Sequence, residues 1–432
     1  MSRPLGFADL SGRRVGIWGV GVEGQAVAAR LEGVTDDIVL VDDHPTRADV
    51  RASDDGGLDL LRTCDVVLKS PGIPRRRADV LLLDDVGVTV TSALNCWLAD
   101  ADRDHVIAVT GTKGKSTTTS LITFFLRCLG EDAQSAGNIG RPPYDPAFPT
   151  TTWIVLEVSS YQAVDLTTSP ATVVVTSLGE DHLDWHGTLA QYRADKLSLT
   201  RLSEDHDTFV ADDLSLHDES HQLGGHVTFV DTDDQGLTSA LGLVGEHNVR
   251  NVALALAVVG HVTRRPMSDV AYAVREQAHN FEPLPGRLTV LARADGVTYV
   301  DDGLATAPLP TIAALDHFAD DDVALIAGGF DRGVDYQPLA VALTARTRRT
   351  VVVVMDEAGA RIADSLHASH AEVLVAGSMD VAVRAARTSL PDGGIVLLSP
   401  AAPSFGAYAN WRERSDDFAQ VVRLLVADAL GS

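Results

Sequence analysis

Lysine is nearly absent from this chain. Its 432 residues include 35 lysines and arginines, and the lysines among them are Lys69, Lys113, Lys115 and Lys196. A guanidinium stays protonated and cannot act as a nucleophilic amine, whereas a lysine amine can. Each remaining lysine is therefore a candidate for work that arginine cannot do. Cysteine is scarce as well: Cys64, Cys96 and Cys128 are three, odd in number and far apart. They offer neither metal-ligand spacing nor a disulfide framework, which points to a reducing compartment. No run of about 18 uninterrupted apolar residues occurs, and Met1–Leu10 lacks a basic start leading into an apolar run. These absences exclude membrane insertion and predict a cytoplasmic protein. Positive charge is in deficit: the formal net charge is -25, which disfavours nucleic acid and anionic lipid as partners. No short-period repeat or low-complexity tract breaks the chain.

Hydrophobic residues make up 45% and charged residues 22%, ordinary values for a globular protein. At roughly 100–200 residues per domain, the length predicts two to four domains. Arg14-Val15-Gly16-Ile17-Trp18 reads as a strand, followed by a turn containing Gly19, Gly21 and Gly24 and a helix through Leu31. Ile38-Val39-Leu40-Val41 reads as a second strand that delivers Asp42. This is a Rossmann-like unit, and its glycine turn favours a nucleotide ligand without saying which. A second alternating segment begins near Asp104. It contains the buried runs 106–110, 153–157 and 171–176, each ending in polar residues. A third begins near Leu284, with strands over 323–327, 350–354 and 394–398. The Asp/His-rich stretch 205–221 is expected to be a solvated loop rather than a metal tract.

The strongest motif is Gly111-Thr112-Lys113-Gly114-Lys115-Ser116-Thr117. A strand leads into a glycine turn, and a helix starts at once, so turn amides and helix N-terminus are expected to face an anion. Lys115 has the reach for β/γ-phosphates, and Ser116 or Thr117 offers a hydroxyl to Mg²⁺. The spacing is shorter than G-x-x-x-x-G-K-[ST]. Glu157 closes a buried strand, where a carboxylate is placed to hold Mg²⁺ beside phosphates. His182 and His186 follow another buried strand and, on their own, read as structural. Lys196, in the stretch 191–197 that reads as a helix start, is less easily dismissed as a surface lysine in so lysine-poor a chain.

Taken in order, these pieces resemble the Mur ligases, most closely the MurD branch. The match includes Gly137-Asn138-Ile139-Gly140, Leu156-Glu157-Val158-Ser159-Ser160-Tyr161-Gln162, Glu180-Asp181-His182-Leu183-Asp184, Tyr192-Arg193-Ala194-Asp195-Lys196-Leu197, Gly245-Glu246-His247-Asn248-Val249-Arg250-Asn251, Leu284-Pro285-Gly286-Arg287 and Leu398-Ser399-Pro400. The resemblance implies an α/β chain of three domains. A Rossmann-like UDP-binding domain would span 1–99, a P-loop-type ATPase 100–283, and a Rossmann-like amino-acid-binding domain 284–432. It implies that Gly21, Val22, Glu23, Asp42, Ser70, Gly72, Asn138, Ser159 and Gln162 hold the UDP substrate. ATP would meet the 111–117 loop, Asn248, Asn251, Arg287 and Asp302. Catalysis would fall to Lys115, Glu157, His182 and Lys196. Two Mg²⁺ ions would be held by Ser116, Glu157, His182 and Lys196, the last as a carbamate.

The implied reaction is ATP-dependent joining of glutamate to UDP-N-acetylmuramoyl-L-alanine through an acyl phosphate. In the third segment the usual Asp-Ser-Lys-Ala-Thr-Asn is Asp302-Gly303-Leu304-Ala305-Thr306-Ala307. The usual Gly-Gly-x-x-Lys-Gly is Gly328-Gly329-Phe330-Asp331-Arg332-Gly333. These departures, with Ala402-Pro403-Ser404-Phe405-Gly406-Ala407-Tyr408, resemble the variant that adds L-glutamate. They imply that Thr306, Arg332, Ser404 and Phe405 bind the amino acid. That variant would work as a monomer beside a glutamate-inverting epimerase. A D-glutamate ligase, a nicotinamide dehydrogenase and a non-catalytic nucleotide binder are the competing readings.

Overall fold

The computed structural model describes residues 4–180, 183–203, 205–243, 245–367 and 371–431, apart from the side chains of 183, 184 and 428–431. The described strands form three sheets, one after another along the chain. The first contains β1 (Val15–Trp18), β2 (Ile38–Asp42), β3 (Arg51–Ala52), β4 (Val66–Lys69) and β5 (Thr89–Thr91), in the order β3-β2-β1-β4-β5. The second contains β6 (Val106–Thr110), β7 (Ala133–Gly137), β8 (Trp153–Glu157), β9 (Thr172–Val175), β10 (Asp207–Ala211) and β11 (His226–Val230), in the order β11-β10-β9-β6-β8-β7. Every pairing in these two sheets is parallel.

The third contains β12 (Thr289–Ala294), β13 (Val297–Asp301), β14 (Val323–Gly328), β15 (Thr350–Met355), β16 (Glu372–Val375) and β17 (Gly394–Leu398), in the order β12-β13-β17-β14-β15-β16. Its one antiparallel pair is β12 with β13. A parallel sheet covered by helices on both faces needs apolar residues on both sides of each central strand. Accordingly β1, β4, β6, β9, β14 and β15 are buried at every position.

These sheets fall into two compact units. Unit 1 runs to Gly242 and includes Glu246–Phe281; unit 2 runs from Glu282 onward. The first two sheets share a core, since one apolar cluster takes in Val15, Val66 and Leu98 together with Val106, Leu156 and Val173. Unit 2 packs a cluster on each face of its sheet, one around Leu325 and Leu397, the other around Ile326 and Phe418.

The stretch expected as a solvated loop, 205–221, is instead β10 followed by the helix Leu214–Asp218 and a 3₁₀ turn Ser220–Gln222. The flanking acids masked the run Thr208-Phe209-Val210-Ala211, which is buried throughout. No helix among the described residues is long and apolar enough to cross a membrane.

Candidate functional site

The phosphate-loop motif leaves the carboxyl end of β6 and enters the helix Lys115–Cys128. Gly111 has φ 139° and Gly114 φ 85°, conformations that L side chains avoid. A Cβ on Gly111 would collide with the Thr176 hydroxyl, and one on Gly114 would stand 2.6 Å from Asn251 Oδ1. The turn amides do not all face outward as expected. Thr112 N donates to Ser177 O (2.9 Å) and Lys113 N to Ser177 Oγ (2.9 Å). That leaves the start of the helix Lys115–Cys128 as the candidate for an anion, since the N–H groups of a helix's first turn point along its axis toward its N-terminus.

Two lysines meet at this loop. Lys115 Nζ donates to Gly111 O (3.0 Å) and Thr112 O (3.1 Å), while Lys196 Nζ donates to the same Gly111 O (2.8 Å). Lys196 is buried, with its ammonium 4.9 Å from the Tyr192 ring centre. The Tyr192 hydroxyl lies 2.9 Å from Thr112 Oγ1, which accepts from Gly179 N at 2.8 Å. The helix Leu189–Leu197 that carries Lys196 is anchored by its neighbour Asp195. Asp195 meets Arg76 (2.6 and 2.8 Å), Gln191 (2.8 Å) and His186 Nδ1 (2.7 Å), and His186 Nε2 lies 3.0 Å from Ser160 Oγ. His182 lies outside the described residues.

Glu157 stands on β8 opposite Val109 of β6, two residues before the loop begins. It is 1% exposed. Asn138 Nδ2 donates to Oε1 at 2.8 Å, and Oε2 is buried without a hydrogen-bond partner. A buried carboxylate oxygen left bare is costly unless a cation satisfies it. A carboxylate oxygen and the Ser116 and Thr117 hydroxyls are donors of the chemical type that suits Mg²⁺. Asn248 and Asn251 are buried on the helix Glu246–Thr263, joined by a 3.2 Å bond.

Of the residues expected to hold the UDP substrate, Gly21, Val22, Glu23, Asp42, Ser70 and Gly72 end or follow strands of the first sheet, Gln162 reaches Glu23 from the second, and Asn138 is instead bonded to Glu157. Asp42 is spent on the turn itself, accepting from Val20 N (2.7 Å) and His44 N (2.9 Å). Gly21 caps the helix Val22–Leu31, with Val22 exposed. Ser70 N donates to Trp18 O at 2.7 Å, and Gly72 O accepts from Trp185 Nε1 at 3.3 Å. Ser159 and Gln162 form a capping box, and Gln162 Nε2 donates to Glu23 Oε1 at 3.1 Å. Burial raises the Glu23 pKa, against its bonds to Gln162 and Tyr144.

Sequence reasoning left Lys69 without a role. Its side chain is fully buried in an ion pair with Asp165, and it donates to Ile73 O at 2.9 Å. Burial pulls Lys69 down and pushes Asp165 up, each opposed by the other's charge. The scarcity of lysine was the available signal; the partner, 96 residues away, was not legible.

The remaining expected residues belong to unit 2. Asp302 follows β13 and accepts from Ser399 Oγ at 2.8 Å. Burial pushes its pKa up to about 7, opposed by Ser399 and by the charge of Arg287. The Arg332 guanidinium lies 5.8 Å from the Phe405 ring centre. Their loops are tied by Phe330 N donating to Pro403 O (2.8 Å), and Ser404 is buried beside them. Thr306 N donates to Leu304 O at 2.9 Å.

Residues 109–218 match the Mur ligase middle domain, and residues 286–402 match the Mur ligase glutamate ligase domain. A UDP-N-acetylmuramoyl-L-alanine--L-glutamate ligase from Salinispora tropica is 38% identical, over 96% of this chain and 99% of that protein. One of the same name from Xanthomonas euvesicatoria is 36% identical, over 96% of each. Among solved structures, the MurF ligase from Thermotoga maritima in complex with ADP has TM-score 0.58 at 14% identity, covering 98% of this chain and 97% of that one. UDP-N-acetylmuramate-alanine ligase from the same organism has TM-score 0.55 at 16% identity, covering 96% of this chain and 100% of that one. A three-sheet α/β architecture, a glycine loop beside a half-satisfied buried glutamate, and full-length similarity at this level agree: the chain belongs to the Mur ligase family of ATP-dependent, amide-forming ligases.

Proposed function

We propose that the chain joins L-glutamate to the carboxylate of UDP-N-acetylmuramoyl-L-alanine with hydrolysis of ATP to ADP and phosphate. A carboxylate is a poor acyl donor. The γ-phosphoryl group passes from ATP to a carboxylate oxygen, releasing ADP and leaving an acyl phosphate. The glutamate amine then attacks the acyl carbon, a proton is lost from nitrogen, and phosphate departs as the amide forms. Lys115 and the helix start beneath it hold the phosphates and stabilise their charge. Glu157, Ser116 and Thr117 would hold one Mg²⁺, which when bound screens the approaching anions. An ammonium repels a cation, so Lys196 would serve a second Mg²⁺, with His182, only as its carbamate. A carbamate nitrogen keeps one N–H, enough to retain the bond to Gly111 O.

Residues 1–99 are assigned to the UDP substrate, 100–283 to ATP and 284–432 to the amino acid. The single observation that carries the phosphate chemistry is the bare Oε2 of Glu157 beside the loop. For the amino acid, support comes from the names of the relatives and from Arg332, a bidentate carboxylate binder, set against Phe405. The test is ADP release with the UDP-muramoyl-alanine acceptor and each glutamate enantiomer in turn. L-Glutamate should turn over faster; preference for D-glutamate would overturn the stereochemical reading, and no glutamate-dependent release would overturn the whole.

A further inference from the structure

Arg414 is the one arginine in unit 2 buried to 3% exposure among the described residues. It opens the long helix Trp411–Gly431 and turns its guanidinium under the carboxyl ends of β13, β14 and β17. Nη1 donates to Gly328 O (3.2 Å) and Ala402 O (3.1 Å), and Nη2 to Gly303 O (3.1 Å) and Ala402 O (3.1 Å). One planar cation thus joins three loops. Gly303 precedes Leu304-Ala305-Thr306, Gly328 precedes Gly329-Phe330-Asp331-Arg332, and Ala402 precedes Pro403-Ser404-Phe405. These are the loops that carry the residues assigned to the amino acid.

We propose that Arg414 is the positioning residue of the amino-acid site, setting the mutual spacing of the loops that bear Thr306, Arg332 and Ser404. This rests on the reading of that site given above.

The backbone around Arg414 is built for close approach. A Cβ on Gly329 would sit 3.0 Å from Arg414 Nη1 and collide with Pro403 O; one on Gly303 would collide with Ser415 Oγ. Ala401, next to the carbonyl that accepts twice, has φ 58°. A non-glycine residue holds that conformation only when its surroundings over-determine it, and the two bonds to Ala402 O supply that constraint. The adjacent Ser415 fixes the first loop in parallel, donating to Asp301 Oδ1 (3.0 Å), which also accepts from Gly303 N (2.9 Å). Burial pulls the Arg414 pKa down to about 10, which still leaves it protonated at neutral pH. Lysine keeps the charge but, as a point donor on a flexible stem, cannot span the fork between three carbonyls.

The experiment compares the full-length wild type with Arg414→Lys and Arg414→Ala. Steady-state ADP release gives KM for glutamate, ATP and acceptor, and hydrogen exchange follows residues 302–306, 328–333 and 401–405. The expected result is a rise of at least about tenfold in glutamate KM in both variants. KM for the acceptor stays within about twofold, KM for ATP rises less than that for glutamate because Asp302 adjoins the first loop, and protection is lost in all three loops. Millimolar methylguanidine should restore part of the glutamate affinity of Arg414→Ala. A glutamate KM near wild type in a folded variant overturns the proposal, as does an equal rise in all three constants. Loss of the folded state in both variants assigns Arg414 to general stability and overturns it too. If wild type itself shows no glutamate-dependent ADP release, the amino-acid reading fails by itself; loop protection in Arg414→Lys then still decides whether Arg414 sets the loops.

Discussion

Replacing Asp302 with asparagine tests whether this carboxyl is neutral in the folded chain. Burial pushes its pKa to about 7, against an ordinary value of 3.8 in the unfolded chain. Between those values the unfolded state has released a proton that the folded state keeps, so the unfolding free energy falls as pH rises. The slope is about 1.4 kcal/mol per pH unit, or roughly 4 kcal/mol over the interval. This stabilisation is complete below pH 3.8 and gone above about 7. Asparagine has no such slope, and its Oδ1 can accept the same bond that Ser399 Oγ makes at 2.8 Å. Its buried amide adds only a pH-independent offset. Asp302→Asn should therefore gain on wild type by about 1.4 kcal/mol per unit from about pH 5 to 7, then level off. Because the chain forms two compact units, global unfolding need not be two-state. Hydrogen exchange in β13 and β17, corrected for intrinsic rates, reads the right unit. A stability difference that stays flat from about pH 5 to 8 would refute the reasoning, because it would mean an Asp302 ionised throughout.

Lys196→Arg keeps the positive charge but cannot form a carbamate; turnover should fall on the order of a hundredfold, and ADP release at the wild-type rate would remove the carbamate assignment. Glu157→Gln retains an acceptor for Asn138 and removes the bare anionic oxygen. We expect kcat to fall by about a hundredfold or more with a higher Mg²⁺ requirement, and Tm to hold or rise as a buried charge is lost; a Mg²⁺ titration that overlays wild type would contradict this. Lys69→Met leaves Asp165 buried and unpaired, which costs about 3–5 kcal/mol. Adding Asp165→Leu should recover most of that, and urea unfolding of the single variant within about 1 kcal/mol of wild type would show the pair to be unimportant.

What could be read from the sequence follows from how local each signal is. The runs 153–157 and 394–398 are strands with those bounds, because a doubly covered parallel strand is a continuous apolar run. The glycine loop was legible because strand, turn and helix are contiguous. Strands at the sheet edges were not: β3 has two residues, and no residue of β11 or β16 is buried, so neither carries a long apolar run. Arg414 looked like any arginine in a charged helix start; its carbonyl partners Gly328 and Gly303 lie 86 and 111 residues away. The engagement of the Thr112 and Lys113 amides by Ser177 was hidden for the same reason, 64 residues separating Lys113 from that side chain.

The shared core of the first two sheets, set against the separate core of unit 2, has a consequence for how such a chain can change over generations. Every residue assigned to the amino acid lies in unit 2, on loops of a sheet whose faces carry apolar clusters made of that unit's own residues. A change at Leu304 or Arg332 therefore falls on unit 2 and not on the residues that form the shared core of the first two sheets. Selection can vary these loops while the residues that pack the first two sheets answer to a different constraint.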